Sequence, residues 1–172
     1  MSKNVAVIIL AAGKGERMKS ELPKVLHPLC GRPLLSYVLS LVKDLKIKSR
    51  VTVLGYKHEQ VKPYLDRDIK VALQRKLLGT ADAVRKALSL LKGFRGTILI
   101  LYGDIPLLKK EAVDKLIKRH HDVGAAATFL TAKMEKPQGY GRVLRDKYST
   151  MCGIVEEKDA DDFQKDIKEV NT

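Results

Sequence analysis

Tryptophan is absent, and only 5% of the chain is aromatic. Phe94, Phe129, Phe163 and six tyrosines are too scattered to build a stacking platform for bases, and no RNA-binding motif surrounds them. Cysteine is scarce as well. Cys30 and Cys152 have neither a C-x-x-C pattern nor a histidine at ligand spacing, which argues against a disulfide framework or a structural zinc and leaves two reduced thiols. His27, His58, His120 and His121 form no metal pattern either. No apolar run approaches the ~20 residues of a membrane span. The short run at residues 5–12 leads into Gly-Lys-Gly-Glu-Arg instead of a cleavage site, so no membrane partner is expected and the expected location is the cytoplasm. Acidic residues are the minority: 20 Asp and Glu stand against 33 Lys and Arg, for a net charge of +13. That balance favours a polyanionic ligand. The cations are spread through every segment and form no single block, which points away from nucleic acid as the partner.

What is present is a chain of 172 residues with 45% hydrophobic content, enough for one α/β domain with its own core and too little for two full-sized ones. Apolar, β-branched runs alternate with stretches of helical period: strand at 5–10 and helix at 34–46, strand at 51–54 and helix at 59–65, strand at 69–73 and helix at 81–91, strand at 97–101 and helix at 111–120, and a last strand at 125–130. Strands alternating with helices across short connections predict a doubly wound, mostly parallel sheet. The helix near Pro33 starts with proline at its first position and is expected to face the core with Leu34, Tyr37, Val38, Leu41 and Leu45. From residue 136 a Pro-Gly loop, two short strand-like runs at 142–145 and 150–155 and a charged tail predict a small antiparallel flap. In open α/β sheets ligands sit outside the carboxyl ends of the strands, so those loops are the places to search.

The first such loop is Leu10-Ala11-Ala12-Gly13-Lys14-Gly15-Glu16-Arg17-Met18, followed by LPKVLH. An apolar strand stops at small residues and two glycines, which let the backbone approach a ligand and turn successive N–H groups into one concavity suited to phosphate. Arg17 and Lys24 add full positive charges. The glycine spacing completes neither a dinucleotide fingerprint nor a P-loop. The second loop follows the apolar run at 98–101, which delivers Tyr102, Gly103 and Asp104 to a strand end. A carboxylate there either caps the next turn or holds Mg²⁺, which binds few protein oxygens and fills its shell with water and phosphate. A cationic phosphate loop at another strand end favours the metal.

These stretches closely resemble the signature of the sugar-1-phosphate nucleotidylyltransferases, and LPKVLH resembles the branch that uses UTP and N-acetylglucosamine 1-phosphate. The resemblance implies a Rossmann-like nucleotide-diphospho-sugar transferase fold and carries residue roles with it. Leu10, Ala11, Ala12 and Gly13 become nucleotide contacts, Arg17 and Lys24 catalytic cations, Tyr102 and Gly103 substrate contacts, and Asp104 the Mg²⁺ ligand. LQRKLLGTADAV (residues 73–84) resembles the uridine segment, in which Gln74 pairs its side-chain amide with the uracil edge and Gly79 and Thr80 supply backbone contacts. PQGYGRV (137–143), GIVEEKDA (153–160) and EVNT (169–172) resemble sugar-binding segments, giving Gly141, Glu156 and Asn171 as contacts.

The implied reaction is attack of a sugar-phosphate oxygen on the α-phosphorus of UTP, with pyrophosphate leaving. Alignment and charge neutralisation suffice for such a step, and no nucleophilic side chain is required. Glu16 departs from the family, which carries a small hydroxyl residue there, and is expected to face solvent toward Lys14 or Lys19. Family members also continue past the NT motif into a segment with a second metal-ligating asparagine and then a β-helix acetyltransferase domain. The expectation is therefore one nucleotidylyltransferase domain over 1–172 that lacks its C-terminal part, with impaired catalysis and no acetyl transfer. A sibling enzyme with another nucleotide or sugar, a non-catalytic nucleotide-binding remnant and a basic nucleic-acid-binding module are the alternatives. The oligomeric state is not legible.

Overall fold

The computed structural model describes residues 4–171, apart from the side chain of Arg17. The chain divides into two compact units, residues 1–114 and 115–172, with the boundary inside one helix.

The first unit is built on four parallel strands in the order β5-β4-β1-β6: β1 (Val5–Ala11), β4 (Ser49–Leu54), β5 (Lys70–Leu73) and β6 (Thr97–Tyr102). Val7, Ile8 and Ile9 have no exposed surface at all, as a central parallel strand covered on both faces requires. Ile8, Leu10 and Ala12 join Val51, Val53 and Ala72 against Ala83 and Ala87 of α3 (Thr80–Ser89). The period of two sends Val7, Ile9 and Ala11 to the opposite face. On the helix α1 (Leu34–Asp44) the buried residues are Leu35, Val38, Leu39, Leu41 and Val42. The expected face is therefore corrected: Leu34, Tyr37 and Leu45 flank the core stripe and Leu35 and Val42 lie at its centre. Pro33 is the cap of that helix and its first turn begins at Leu34. Ahead of it, a tight hairpin joins β2 (Pro28–Leu29) to β3 (Arg32–Pro33) through Cys30 and Gly31, both with positive φ, as a two-residue turn of the primed type needs.

The expected helix at 59–65 breaks in two. α2 (His58–Val61) gives way to a 3-10 turn at Lys62–Tyr64, because Pro63 has no N–H for a longer α-helical ladder. Helix α4 (Lys110–Asp122) runs longer than expected at both ends.

The second unit carries an antiparallel sheet in the order β7-β10-β8-β9: β7 (Thr131–Lys133), β8 (Arg142–Arg145), β9 (Met151–Val155) and β10 (Glu169–Asn171). A short helix α5 (Asp162–Lys165), started by a capping box between Asp161 and Gln164, precedes β10. The expected strand at 125–130 does not form. Gly124, at φ +59, turns the chain back; the Ala125 N–H donates to the His120 carbonyl, and Thr128 Oγ1 meets the His120 ring. Strand structure starts only at Thr131, where β10 offers a ladder.

Candidate nucleotide-binding site

The register aligns the strand ends. Leu10 lies beside Val53 and Tyr102, Ala11 beside Leu54, and Leu54 beside Leu73, so the loops that follow leave the sheet along one edge. Strand order reverses at β1, since β4 and β5 lie on one side and β6 on the other. Ligands of open α/β sheets bind at such a switch point.

A cleft of about 270 Å³ opens there. Leu10, Ala11, Ala12, Gly13, Lys24, Gln74, Gly79, Thr80, Tyr102 and Asp104 all line it, so the structure gathers these ten expected residues in one place. Val25, Leu77 and Ala83 complete the wall; Val25 and Ala83 are buried and Leu77 is half exposed, and none of the three was given a role of its own in the sequence. Gly103 lies beneath the lining. Its N–H donates to the Leu10 carbonyl at 2.8 Å, and a Cβ there would press on Ala11 Cβ and Leu35 Cδ1, both at 3.2 Å. The side chain of Arg17 lies outside the described residues.

The two glycines of the loop do different work. Gly13 has open space around it, whereas Gly15 sits at φ +69 with the stem of Lys24 where its own side chain would be: a Cβ would lie 2.6 Å from Lys24 Cβ. Gly15 thus cradles Lys24. From the other side Lys24 is anchored by its own 3-10 turn, in which Val25 and Leu26 are buried. The Lys24 ammonium forms an ion pair with the Asp104 carboxylate, joining two loops far apart in sequence. Both side chains keep some solvent contact, with 37% and 22% exposed. Glu16 is 82% exposed and stands 3.9 Å from Lys14, so it faces solvent as expected.

Gly55 was not singled out in the sequence. A Cβ there would fall 2.7 Å from the Ala12 carbonyl and 3.1 Å from that of Gln74, and the Tyr56 N–H donates to Ala12 at 3.0 Å. The loop after β4 therefore braces the turn after β1. Gln74 is 4% exposed, and its amide nitrogen donates to the Gly79 carbonyl and to Asp82 Oδ2, each at 3.0 Å. Asp82, 8% exposed, had no signal in the sequence reading. Its carboxyl is held below the usual aspartate range, first by the hydrogen bond from Gln74, then by Lys86 and Arg85.

In the second unit the remaining expected contacts gather at one end of the sheet. Arg142 pairs with Val155 and with Val170, which sets Gly141 across from Glu156 and beside Asn171. The Asn171 N–H donates to the Gly141 carbonyl at 3.2 Å, and a Cβ on Gly141 would meet Asn171 Oδ1 at 2.7 Å. Beneath them Arg142, 1% exposed, reaches Glu157 at 2.6 Å and the carbonyls of Tyr140 and Lys165. Arg145 holds Glu169 through a two-pronged pair at 2.7 Å, and Thr131 adds a hydrogen bond at 2.8 Å. Arg145 and Thr131 together hold the Glu169 carboxyl down to about 2.

A parallel sheet with a cationic loop and a carboxylate at its switch point is the arrangement of a nucleoside-triphosphate transferase, and the chain belongs to the MobA-like NTP transferase domain family, whose model matches residues 7–166. Its relatives narrow the class. It is 50% identical over 98% of its length to the bifunctional protein GlmU of Pelotomaculum thermopropionicum, and 47% identical over its whole length to that of Bacillus cytotoxicus. It spans 37% of the length of each. Among solved structures, HddC from Yersinia pseudotuberculosis, complexed with GMP-PN, has the same fold, with a TM-score of 0.64 at 19% identity, covering 88% of this chain and 69% of that one. No described helix is long and apolar enough to cross a membrane.

Proposed function

We propose that the chain carries the uridylyl-transfer chemistry that joins UTP to N-acetylglucosamine 1-phosphate, releasing pyrophosphate. The observation that carries this reading is the cleft at the switch point, where the Leu10–Gly13 turn, Lys24 and Asp104 converge. Two anions must meet there. Lys24 offsets their charge while the loop backbone holds the triphosphate, so that a sugar-phosphate oxygen bonds to the α-phosphorus as the bond to pyrophosphate breaks. Gln74, Gly79 and Thr80 hold the base, Tyr102 and Gly103 shape the nucleotide wall, and Arg17 adds a second cation. Gly141, Glu156 and Asn171 receive the sugar.

Asp104 fits the role of Mg²⁺ ligand. It is a hard oxygen donor at the cleft edge that already holds a cation, and among the described residues no group of three or more His, Cys, Asp or Glu offers a metal cage. Mg²⁺ prefers such a site, with one or two carboxylates and the rest of its shell from phosphate and water. When bound, it neutralises charge on the triphosphate. The domain is proposed to span both units, since the family match does. The proposed location is the cytoplasm and the proposed partners are these small-molecule substrates, without nucleic acid or membrane.

The test is pyrophosphate release with UTP, N-acetylglucosamine 1-phosphate and Mg²⁺. Wild type should turn over, and Lys24→Ala should lose roughly a hundredfold or more. Equal rates for the two proteins would defeat the reading.

A further inference from the structure

Gln74 lines the nucleotide cleft, but its amide nitrogen is not available to a ligand there. Both of its hydrogens are committed, one to the Gly79 carbonyl and one to Asp82 Oδ2, each at 3.0 Å. The orientation of a glutamine amide follows from its neighbours, and here both neighbours are acceptors. A backbone carbonyl can only accept, and so can an ionised carboxylate. Asp82 is kept ionised. It stands in the first turn of α3, where the helix dipole favours an anion, with Arg85 at 3.4 Å and Lys86 at 3.8 Å. The lowered pKa of Asp82 agrees with this. A flip of the Gln74 amide would set oxygen against oxygen at both contacts. What Gln74 can offer a base is therefore its carbonyl oxygen alone, which narrows the expectation that its side-chain amide pairs with the uracil edge.

The geometry points to Asp82 as a specificity-determining positioning residue: by locking the Gln74 amide together with the Gly79 carbonyl, it makes the base subsite demand a donor at ring position 3, which uracil has as N3–H, whereas cytosine has an acceptor at N3 and its donor one atom further on, at the N4 amine. Asp82 is not among the lining residues and acts through Gln74. Selection of this kind is strong because the wrong base leaves a buried acceptor facing another acceptor. The inference rests on the uridylyl reading above and deepens it.

The test measures dissociation constants for UTP and CTP by calorimetry with Mg²⁺ present, so turnover is not needed. Wild type should prefer UTP by roughly thirtyfold or more. In Asp82→Asn the side chain can donate as well as accept, so that only the Gly79 carbonyl still opposes a turned Gln74 amide, and the preference should shrink about tenfold, with UTP weakened and CTP not. Asp82→Glu, which keeps an acceptor-only group, should retain most of the preference. Circular dichroism confirms that each variant is folded, and Asp82→Ala serves if Asp82→Asn is not. A purely structural role would weaken both nucleotides alike. Wild type that binds neither nucleotide overturns the uridylyl reading and the proposal with it. Wild type that prefers UTP, with the ratio unchanged in the folded Asp82 variants, overturns the role of Asp82 alone.

Discussion

Gly15→Ala is the substitution that best separates the two glycines of the phosphate loop. An alanine at φ +69 costs about 1–2 kcal/mol for its left-handed backbone. Its methyl would also lie 2.6 Å from Lys24 Cβ, and the atom that must give way is the root of the lysine side chain, held by the buried Val25 and Leu26. Overpacking of that kind costs about 1–3 kcal/mol, so the sum with the backbone cost is roughly 2–5 kcal/mol if the turn keeps its shape. For a chain of this size that is a Tm lowered by roughly 4–20 °C. If the turn yields instead, the strain appears as a displaced Lys24, with its ion pair to Asp104 broken and UTP affinity reduced about tenfold or more. Gly13→Ala is the control. It has no positive φ and nothing within 4 Å, so its Tm should stay within the change expected of about 0.5 kcal/mol. UTP affinity should still fall, because Gly13 lines the cleft and a side chain there takes up space the backbone leaves to the ligand. Thermal unfolding by circular dichroism and UTP titration make the comparison. The reasoning is refuted if Gly15→Ala matches wild type in both, or if Gly13→Ala lowers Tm as much as Gly15→Ala.

Three further outcomes are expected. Asp104→Asn removes the partner of Lys24 at a partly exposed pair, so stability should move by no more than about 1 kcal/mol while pyrophosphate release falls roughly a hundredfold or more; a large stability loss by urea titration would contradict this. Arg142→Met replaces a buried cation with an apolar side chain of similar length, leaving two carbonyls without a donor and Glu157 without its partner, and should cost about 2–4 kcal/mol in urea unfolding. A loss below about 0.5 kcal/mol would show that the guanidinium does not tie Tyr140, the 3-10 turn at Glu157–Asp159 and α5 together. Glu169 titrates at about 2 in the folded chain against an ordinary 4.5. Its contribution is complete above pH 4.5 and disappears as pH falls from there through about 2. The protection of the β10 amides relative to their intrinsic exchange rates should fall across that window, and Glu169→Gln should flatten the response.

Local spacing carried much of this protein into view. Continuous apolar, β-branched runs followed by small or acidic residues marked β1 and β6 and what they deliver, because a strand and the turn after it are decided by neighbours a few residues apart. The order of motifs pointed to the same chemistry as the charge balance. Other features had no local trace. The run at 125–130 has strand composition, yet Gly124 and His120 turn it away from any ladder. Gly55 looks like any loop glycine until Ala12 and Gln74 close on it, and Gly15 looks interchangeable with Gly13 until Lys24 packs against it. Asp82 reads as an ordinary residue in the first turn of a helix. Only when β5 and α3 lie side by side does it seize the Gln74 amide and decide which atom faces the cleft. Those contacts depend on strand order and register, and so belong to the tertiary structure.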